Sequence, residues 1–197
     1  MPRPMEFDRH EAVEAALDQI WKCGFSAASV NSLSQTLNIN RSSFYNTFGS
    51  RENLFKEVMQ VYASMPPNTA LYEMTPESSI KEVLTTMFRD ICRIRSSDPE
   101  HRGCLAANSI AELTSDDDEH SEFMTALMNG IRLTIEERIE WAICSGELPE
   151  GTDKRTMALA IHNLMMGINI QSKIVYDEKA LWSAASTVLK GLGLLKE

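Results

Sequence analysis

The sequence predicts an all-α fold, because apolar residues recur at helical spacing along most of the chain and no run alternates with the period of a strand. The 197 residues, 43% of them hydrophobic, suffice for a core that needs no disulfides. With only 9 glycines and 7 prolines, collagen-like and low-complexity classes are excluded. We expect about nine helices, divided into a three-helix head (1–60) and a larger helical body (61–197).

The predicted location is the cytoplasm, without a membrane partner. No stretch approaches the ~20 apolar residues of a membrane span, and the first eight residues lack the apolar core of a signal peptide. Four cysteines stand without a C-x-x-C pair, which favours reduced thiols and predicts neither a metal nor a cofactor.

The charge is distributed unevenly along the chain. Of the net charge of −9, residues 61–197 carry −8, and the stretch from Gln19 to Arg51 contains no acidic residue. Its three basic residues, Lys22, Arg41 and Arg51, give a local charge that can approach a phosphate backbone. Alternatively, a short polar stretch lacks acids by chance.

The head begins with a helix over residues 8–23 that carries one apolar stripe. A second helix runs from about 30 to 37, a third covers Arg41 to Phe48, and a fourth starts at Arg51. Ser29, Asn40 and Ser50 are placed as N-caps, while Asn38 tolerates the left-handed turn between the second and third helices.

This arrangement predicts a helix-turn-helix whose second short helix enters the major groove of DNA. Phe44 and Phe48 share one face for packing. The other face offers side chains that can bind bases or phosphates: Arg41, Ser42, Ser43, Tyr45 and Asn46. Alternatively, a polar helix of eight residues is a solvated surface turn.

The segment 24–55 resembles the DNA-binding head of the TetR/AcrR family of bacterial regulators. The resemblance lies in Ser43-Phe44-Tyr45 and Phe48, followed by Arg51, Glu52 and Leu54. Two positions depart from the family pattern: Asn38 stands where Gly is usual, and Ser34 where Ala is usual. It implies a DNA-bound homodimer whose contacts come from seven residues, with Tyr45 and Arg51 on phosphate: Ser29, Arg41, Ser42, Ser43, Tyr45, Asn46 and Arg51.

The body is predicted to hold further amphipathic helices. Thr75-Pro76 is expected to start one that extends to Ile94, and two others span about 119–145 and 153–175, with loops at 96–103 and 114–118. The next-to-last helix is apolar nearly all round, which predicts a homodimer through the last two helices. Alternatively, the chain's own helices cover the second face.

An effector site is predicted from the methionine-rich body, because flexible thioethers suit an adaptable apolar cavity. The candidate ligand-binding residues are Met87, Met124, Met128, His162 and Met166. Asn163, Asn169 and Gln171 add polar groups on the helix of His162. Ordinary core filling is the alternative for any single methionine.

Residues 102–112 resemble a segment of one TetR-like subgroup in which some members sense electrophiles or oxidants through a cysteine. Cys104 is therefore a redox candidate, at a predicted helix start beside Arg102, where a thiolate is stabilised. The alternative is a buried small hydrophobe.

Together these patterns predict a DNA-binding transcriptional repressor that a small-molecule effector releases from a palindromic operator. The alternative trigger is modification of Cys104. An enzyme with a vestigial head and a protein-interaction module are further alternatives, although the sequence lacks G-x-S-x-G, phosphate-loop, H-E-x-x-H and dinucleotide motifs.

Overall fold

The computed structural model describes residues 8–67, 69–113 and 119–197, and this part of the chain contains ten helices and no strand. The predicted loop at 114–118 and the start of the chain lie outside the described residues. None of the described helices is long and apolar enough to span a membrane. The helices are α1 (Arg9–Cys23), α2 (Val30–Thr36), α3 (Arg41–Phe48), α4 (Arg51–Ala63), α5 (Ala70–Glu73), α6 (Ile80–Ser96), α7 (Leu105–Ala111), α8 (Glu119–Cys144), α9 (Lys154–Gln171) and α10 (Glu178–Gly191).

Side-chain caps define the helix boundaries of the head, as predicted. The Ser29 hydroxyl accepts from the Ser32 amide at 3.1 Å, and the Asn40 side chain accepts from the Ser43 amide at 2.8 Å. Asn38 has a φ of 51°, so the turn between α2 and α3 is left-handed at this residue. These local interactions set the helix-turn-helix of α2 and α3.

The head core forms where α1 packs along α4 and covers the short helix pair. Leu33 of α2 and Phe44 of α3 are fully buried against it, together with Ile20 and Leu54. Because both short helices insert a large side chain into this core, their relative orientation is fixed by packing.

The body packs α8 against α9 and α6 against α10 around a second core. Its fully buried side chains come from all four of these helices, among them Phe88, Ile135, Ile161 and Leu189. The ends of α8 and α9 fall one and four residues before the predicted ends at 145 and 175.

The predicted start of α6 at Thr75-Pro76 is wrong. The helix begins at Ile80 because the Glu147 carboxylate, from the loop after α8, accepts from the amides of Ile80 and Lys81 at 2.8 and 3.1 Å. Ser79 caps the same turn. Burial raises the pKa of the Glu147 carboxyl, but the hydrogen bond from the Ser79 hydroxyl, together with those from the Ile80 and Lys81 amides, outweighs burial and holds the pKa below its ordinary value.

Candidate nucleic-acid interface and buried cavity

The solvent face of α3 carries the polar residues that the sequence assigned to DNA. Arg41, Ser42, Tyr45 and Asn46 are exposed, and Tyr45 has 45% of its surface in solvent. Ser43 is half-buried, with its amide held by the Asn40 cap. A large aromatic side chain left in solvent beside a basic one offers stacking and charge on the same surface.

A shallow groove between α2, α3 and the start of α4 brings four of the seven predicted residues together, namely Ser29, Arg41, Tyr45 and Arg51. Ser42, Ser43 and Asn46 lie outside it along α3. Asn31 and Ser50 also line the groove, and sequence reasoning did not assign them to the DNA-binding surface. The signal for Asn31 was its place in the first turn of α2, two residues after Ser29.

The Arg51 guanidinium is partly held by the protein itself. It lies 4.1 Å from the centre of the Phe25 ring, and its Nε donates to Glu52 at 3.3 Å. With 28% of the side chain exposed, its charge stays at the edge of the groove. This placement suits a positioning contact with phosphate better than an extended reach to a base edge.

Lys22 does not contribute to this surface, although it belongs to the same acid-free stretch. Its ammonium contacts carboxylates of Asp18 at 2.8 Å and Glu100 at 3.2 Å. The stretch therefore brings only two of its three basic residues, Arg41 and Arg51, to the groove.

A second feature is a cavity of about 80 Å³ lined by residues of α4, α5, α6, α7, α8 and α9. Four of the five predicted ligand-binding residues line it, namely Met87, Met128, His162 and Met166. Met124 does not, because it is fully buried one turn earlier on α8 in the core shared with the head. Three more side chains with sulfur atoms also line it: Met59, Cys104 and Met165.

One wall of the cavity is polar, and its centre is Arg95, which is 4% exposed. The Arg95 Nη2 donates to the Tyr62 hydroxyl at 2.7 Å, and its Nε donates to the Asn169 side-chain oxygen at 2.9 Å. Burial raises the pKa of the Tyr62 phenol, so this hydroxyl is neutral. Sequence reasoning noted Asn169 but missed Arg95 and Tyr62.

His162 faces the same cavity and is 8% exposed. Burial, and then the positive charge of Arg132, lower the pKa of His162 below its ordinary value, so its imidazole is neutral at pH 7. Its Nε2 is buried and has no hydrogen-bond partner among the described residues. Asn163 and Gln171, on the same helix, are exposed.

Cys104 occupies the N-cap position of α7 without a side-chain cap hydrogen bond, is 8% exposed and lines the cavity. Its Sγ accepts from the Tyr62 hydroxyl at 3.1 Å. The predicted pairing of Arg102 with this thiol is not formed, because the Arg102 guanidinium contacts Asp98 and Asp18, each at 3.1 Å. Among the residues described, no three metal-ligating side chains are grouped to hold an ion.

Two helices connect the cavity with the head. The last turn of α4 lines the cavity through Tyr62, while its first residue, Arg51, lines the groove. After α7, the Glu112 carboxylate accepts from the Ser26 amide at 2.8 Å. At Gly24, where φ is +84°, a Cβ would be strained and would lie 2.3 Å from that carboxylate, so a larger residue there would displace the Glu112 side chain from Ser26.

Apolar side chains are exposed along α9, the segment that follows it and α10. Ile174 is 71% exposed and Leu159 is 49% exposed. The other members of this apolar surface are Ile170, Tyr176 and Val188.

Two family models match the chain. One, described as bacterial regulatory proteins of the tetR family, matches residues 12–58, and the other, described as the tetracyclin repressor-like C-terminal domain, matches residues 81–188. The HTH-type transcriptional repressor ComR of Escherichia coli (strain K12) is 23% identical over 191 residues, which cover 95% of this chain and 90% of ComR.

Solved structures of regulators show the same architecture. A cysteine mutant of the TetR family regulator CifR, complexed with 26-bp operator DNA, has a TM-score of 0.84 at 25% identity and covers 95% of this chain and 98% of its own. AibR in complex with isovaleryl coenzyme A and operator DNA has a TM-score of 0.64 at 14% identity, over 92% of this chain and 96% of its own. The chain belongs to the TetR family and is a DNA-binding transcriptional regulator.

Proposed function

We propose that the chain is a homodimeric repressor whose head, residues 1–60, binds a palindromic operator in the cytoplasm. Its body, residues 61–197, holds a small effector in the cavity, and occupancy of that cavity releases the DNA. The observation that carries this proposal is the position of α4, which extends from the groove at Arg51 to the cavity at Tyr62.

The apolar surface on α9 and α10 supports the dimer. Contiguous apolar patches on a soluble chain are typical of interaction sites. A twofold pairing of these helices buries the same residues of both copies and presents two α3 helices. Two half-sites one DNA turn apart, about 34–36 Å, would then receive both copies of α3.

Release of DNA by the effector follows from the contacts that α4 makes in the cavity. An effector in the cavity lies against Met59 and Tyr62, so the last turn of α4 must accommodate it. A shift of that turn passes to the first turn and to the groove, because a helix moves as a stiff rod. About 1.4 kcal/mol of preference for the released arrangement changes the bound population tenfold.

Selection of genomic fragments by the purified full-length chain tests this function. We expect enrichment of short inverted repeats, protection of both half-sites in footprinting, and one dimer per repeat by light scattering. Affinity should fall with the logarithm of salt concentration. Recovery of random fragments, or of none, would contradict the proposal.

A second trigger is supported by the position of the Cys104 sulfur in the cavity wall. A small electrophile such as methyl vinyl ketone can enter, and the sulfur would bond to its terminal carbon while the thiol proton goes to the carbon beside the carbonyl. The adduct then fills the cavity permanently.

We expect Cys104→Ser to abolish release of DNA by methyl vinyl ketone, measured by fluorescence anisotropy. Cys144→Ser serves as the matched control, because Cys144 is exposed on α8 and should leave release unchanged. Release of the Cys104→Ser protein at the rate of the unaltered one would remove Cys104 from the mechanism.

A further inference from the structure

Arg95 is a buried cation that no anion among the described residues balances. None of the described carboxylates forms an ion pair with its guanidinium, and the two hydrogen bonds it donates go to a neutral phenol and a neutral amide. Other arginines of the body pair with acids, as Arg132 does with Glu136. A buried charge left without a counter-charge is costly, so a ligand that supplies the counter-charge would bind here favourably.

The guanidinium is also held in place. Asn169 binds its Nε and Tyr62 binds its Nη2, while the rings of Trp21 and Tyr62 lie 5.7 and 6.0 Å from its central carbon. The Nη1 donates no hydrogen bond to the described residues. Because a guanidinium is a planar fork, the remaining N–H groups match the two oxygens of a carboxylate.

His162 supplies an independent second polar group in the same cavity. Its Nε2 has no hydrogen-bond partner among the described residues, and the residue is more than nine-tenths buried. A neutral imidazole with the proton on Nε2 donates one further hydrogen bond to an anion. A ligand oxygen would thus satisfy a group that the protein leaves unsatisfied.

Size and lining restrict the rest of the ligand. A volume of about 80 Å³ accommodates roughly six water-sized groups. Apart from the polar wall, the lining is apolar and rich in methionine, including Met59, Met87 and Met166. This combination fits a short aliphatic tail.

We propose that the effector is a short aliphatic monocarboxylate of about four to six carbons, with its carboxylate bound by Arg95 in the cavity that His162 also lines. This inference rests on the proposed function for its biological meaning, but the binding itself is measured without DNA. The two can therefore fail separately.

The test titrates sodium pentanoate, pentanamide and inorganic phosphate into the full-length chain at pH 7.5, followed by ligand-observed NMR. We expect pentanoate to bind at least about 30-fold more tightly than pentanamide, the loss typical of removing one partner of a buried charge pair. Equal binding of both, binding of neither, or binding of phosphate alone would overturn the proposal.

In the Arg95→Gln variant, the affinity for pentanoate should fall to within threefold of the affinity for pentanamide. Arg93→Gln is the matched control, since Arg93 lies on the opposite, exposed face of α6 and should change pentanoate affinity less than twofold. If circular dichroism shows that Arg95→Gln does not fold, the Arg95→Lys variant is tested instead. Because lysine keeps the positive charge, Arg95→Lys must still prefer pentanoate over pentanamide. Loss of that preference in a folded Arg95→Lys protein, or its retention in a folded Arg95→Gln protein, would count against Arg95 as the anchor.

Discussion

Replacing Arg41 with alanine is expected to weaken operator binding by roughly 30-fold to 25 000-fold. Arg41 is exposed at the start of α3 and lines the groove with Tyr45, and no described acid pairs with it. One specific arginine contact contributes about 1–3 kcal/mol, and a dimer loses it in both half-sites. Electrophoretic mobility shifts with the selected operator measure this loss.

The salt dependence of operator binding by Arg41→Ala shows whether Arg41 contacts a phosphate or a guanine. If both copies contact phosphate, the slope of the logarithm of affinity against the logarithm of salt should become shallower by about 2. If they bind guanine, the slope stays and discrimination at one base position per half-site weakens. Either result fits α3 in the major groove.

Lys22→Ala is the control for Arg41→Ala. It removes a basic residue from the same acid-free stretch, but one whose ammonium is paired with Asp18 and Glu100. Its affinity for the operator should stay within threefold of the unaltered chain. An equal loss in the two variants would mean that net charge, rather than the α3 surface, determines binding.

The helices of the head were predictable because their boundaries depend on local interactions. The side chains of Ser29, Asn40 and Ser50 each accept a hydrogen bond from the amide three residues ahead. Each cap and its partner therefore lie close together in the sequence, where a local pattern reveals them. The start of α6 was not predictable in this way. Its acceptor is Glu147, which lies 67 residues from Ile80 and reaches it only in the folded chain.

The cavity residues also divide into those that the sequence could predict and those it could not. Met124 and Met128 were both assigned to the cavity because of their thioethers, yet they lie one turn apart on α8, in the core and in the cavity wall respectively. Arg95 did leave a signal, because it continues the buried stripe of Phe88 and Ile91 at helical spacing. A charged residue at a core-facing position indicates a polar site, but its partners are set by tertiary packing.

Phe44→Ala and Tyr45→Ala, adjacent on α3, are expected to have opposite effects. Phe44 is fully buried against Phe48 and the head core, so its truncation should destabilise the fold by about 3–5 kcal/mol and lower Tm by roughly 6–20 °C. Tyr45 is 45% exposed, so Tyr45→Ala should leave Tm nearly unchanged while weakening operator binding at least about tenfold.

Thermal unfolding by circular dichroism and operator titration of both variants measure these effects. Phe44→Leu, which retains most of the apolar volume, should recover much of the lost stability and so separates packing from loss of the aromatic ring. An α3 that turned Tyr45 inward would give the reverse pattern, with Tyr45→Ala unfolding at lower temperature and Phe44→Ala impaired only in binding. Because a regulator of this kind requires one face of α3 for its own core and the other for DNA, the two phenotypes must divide between neighbouring residues.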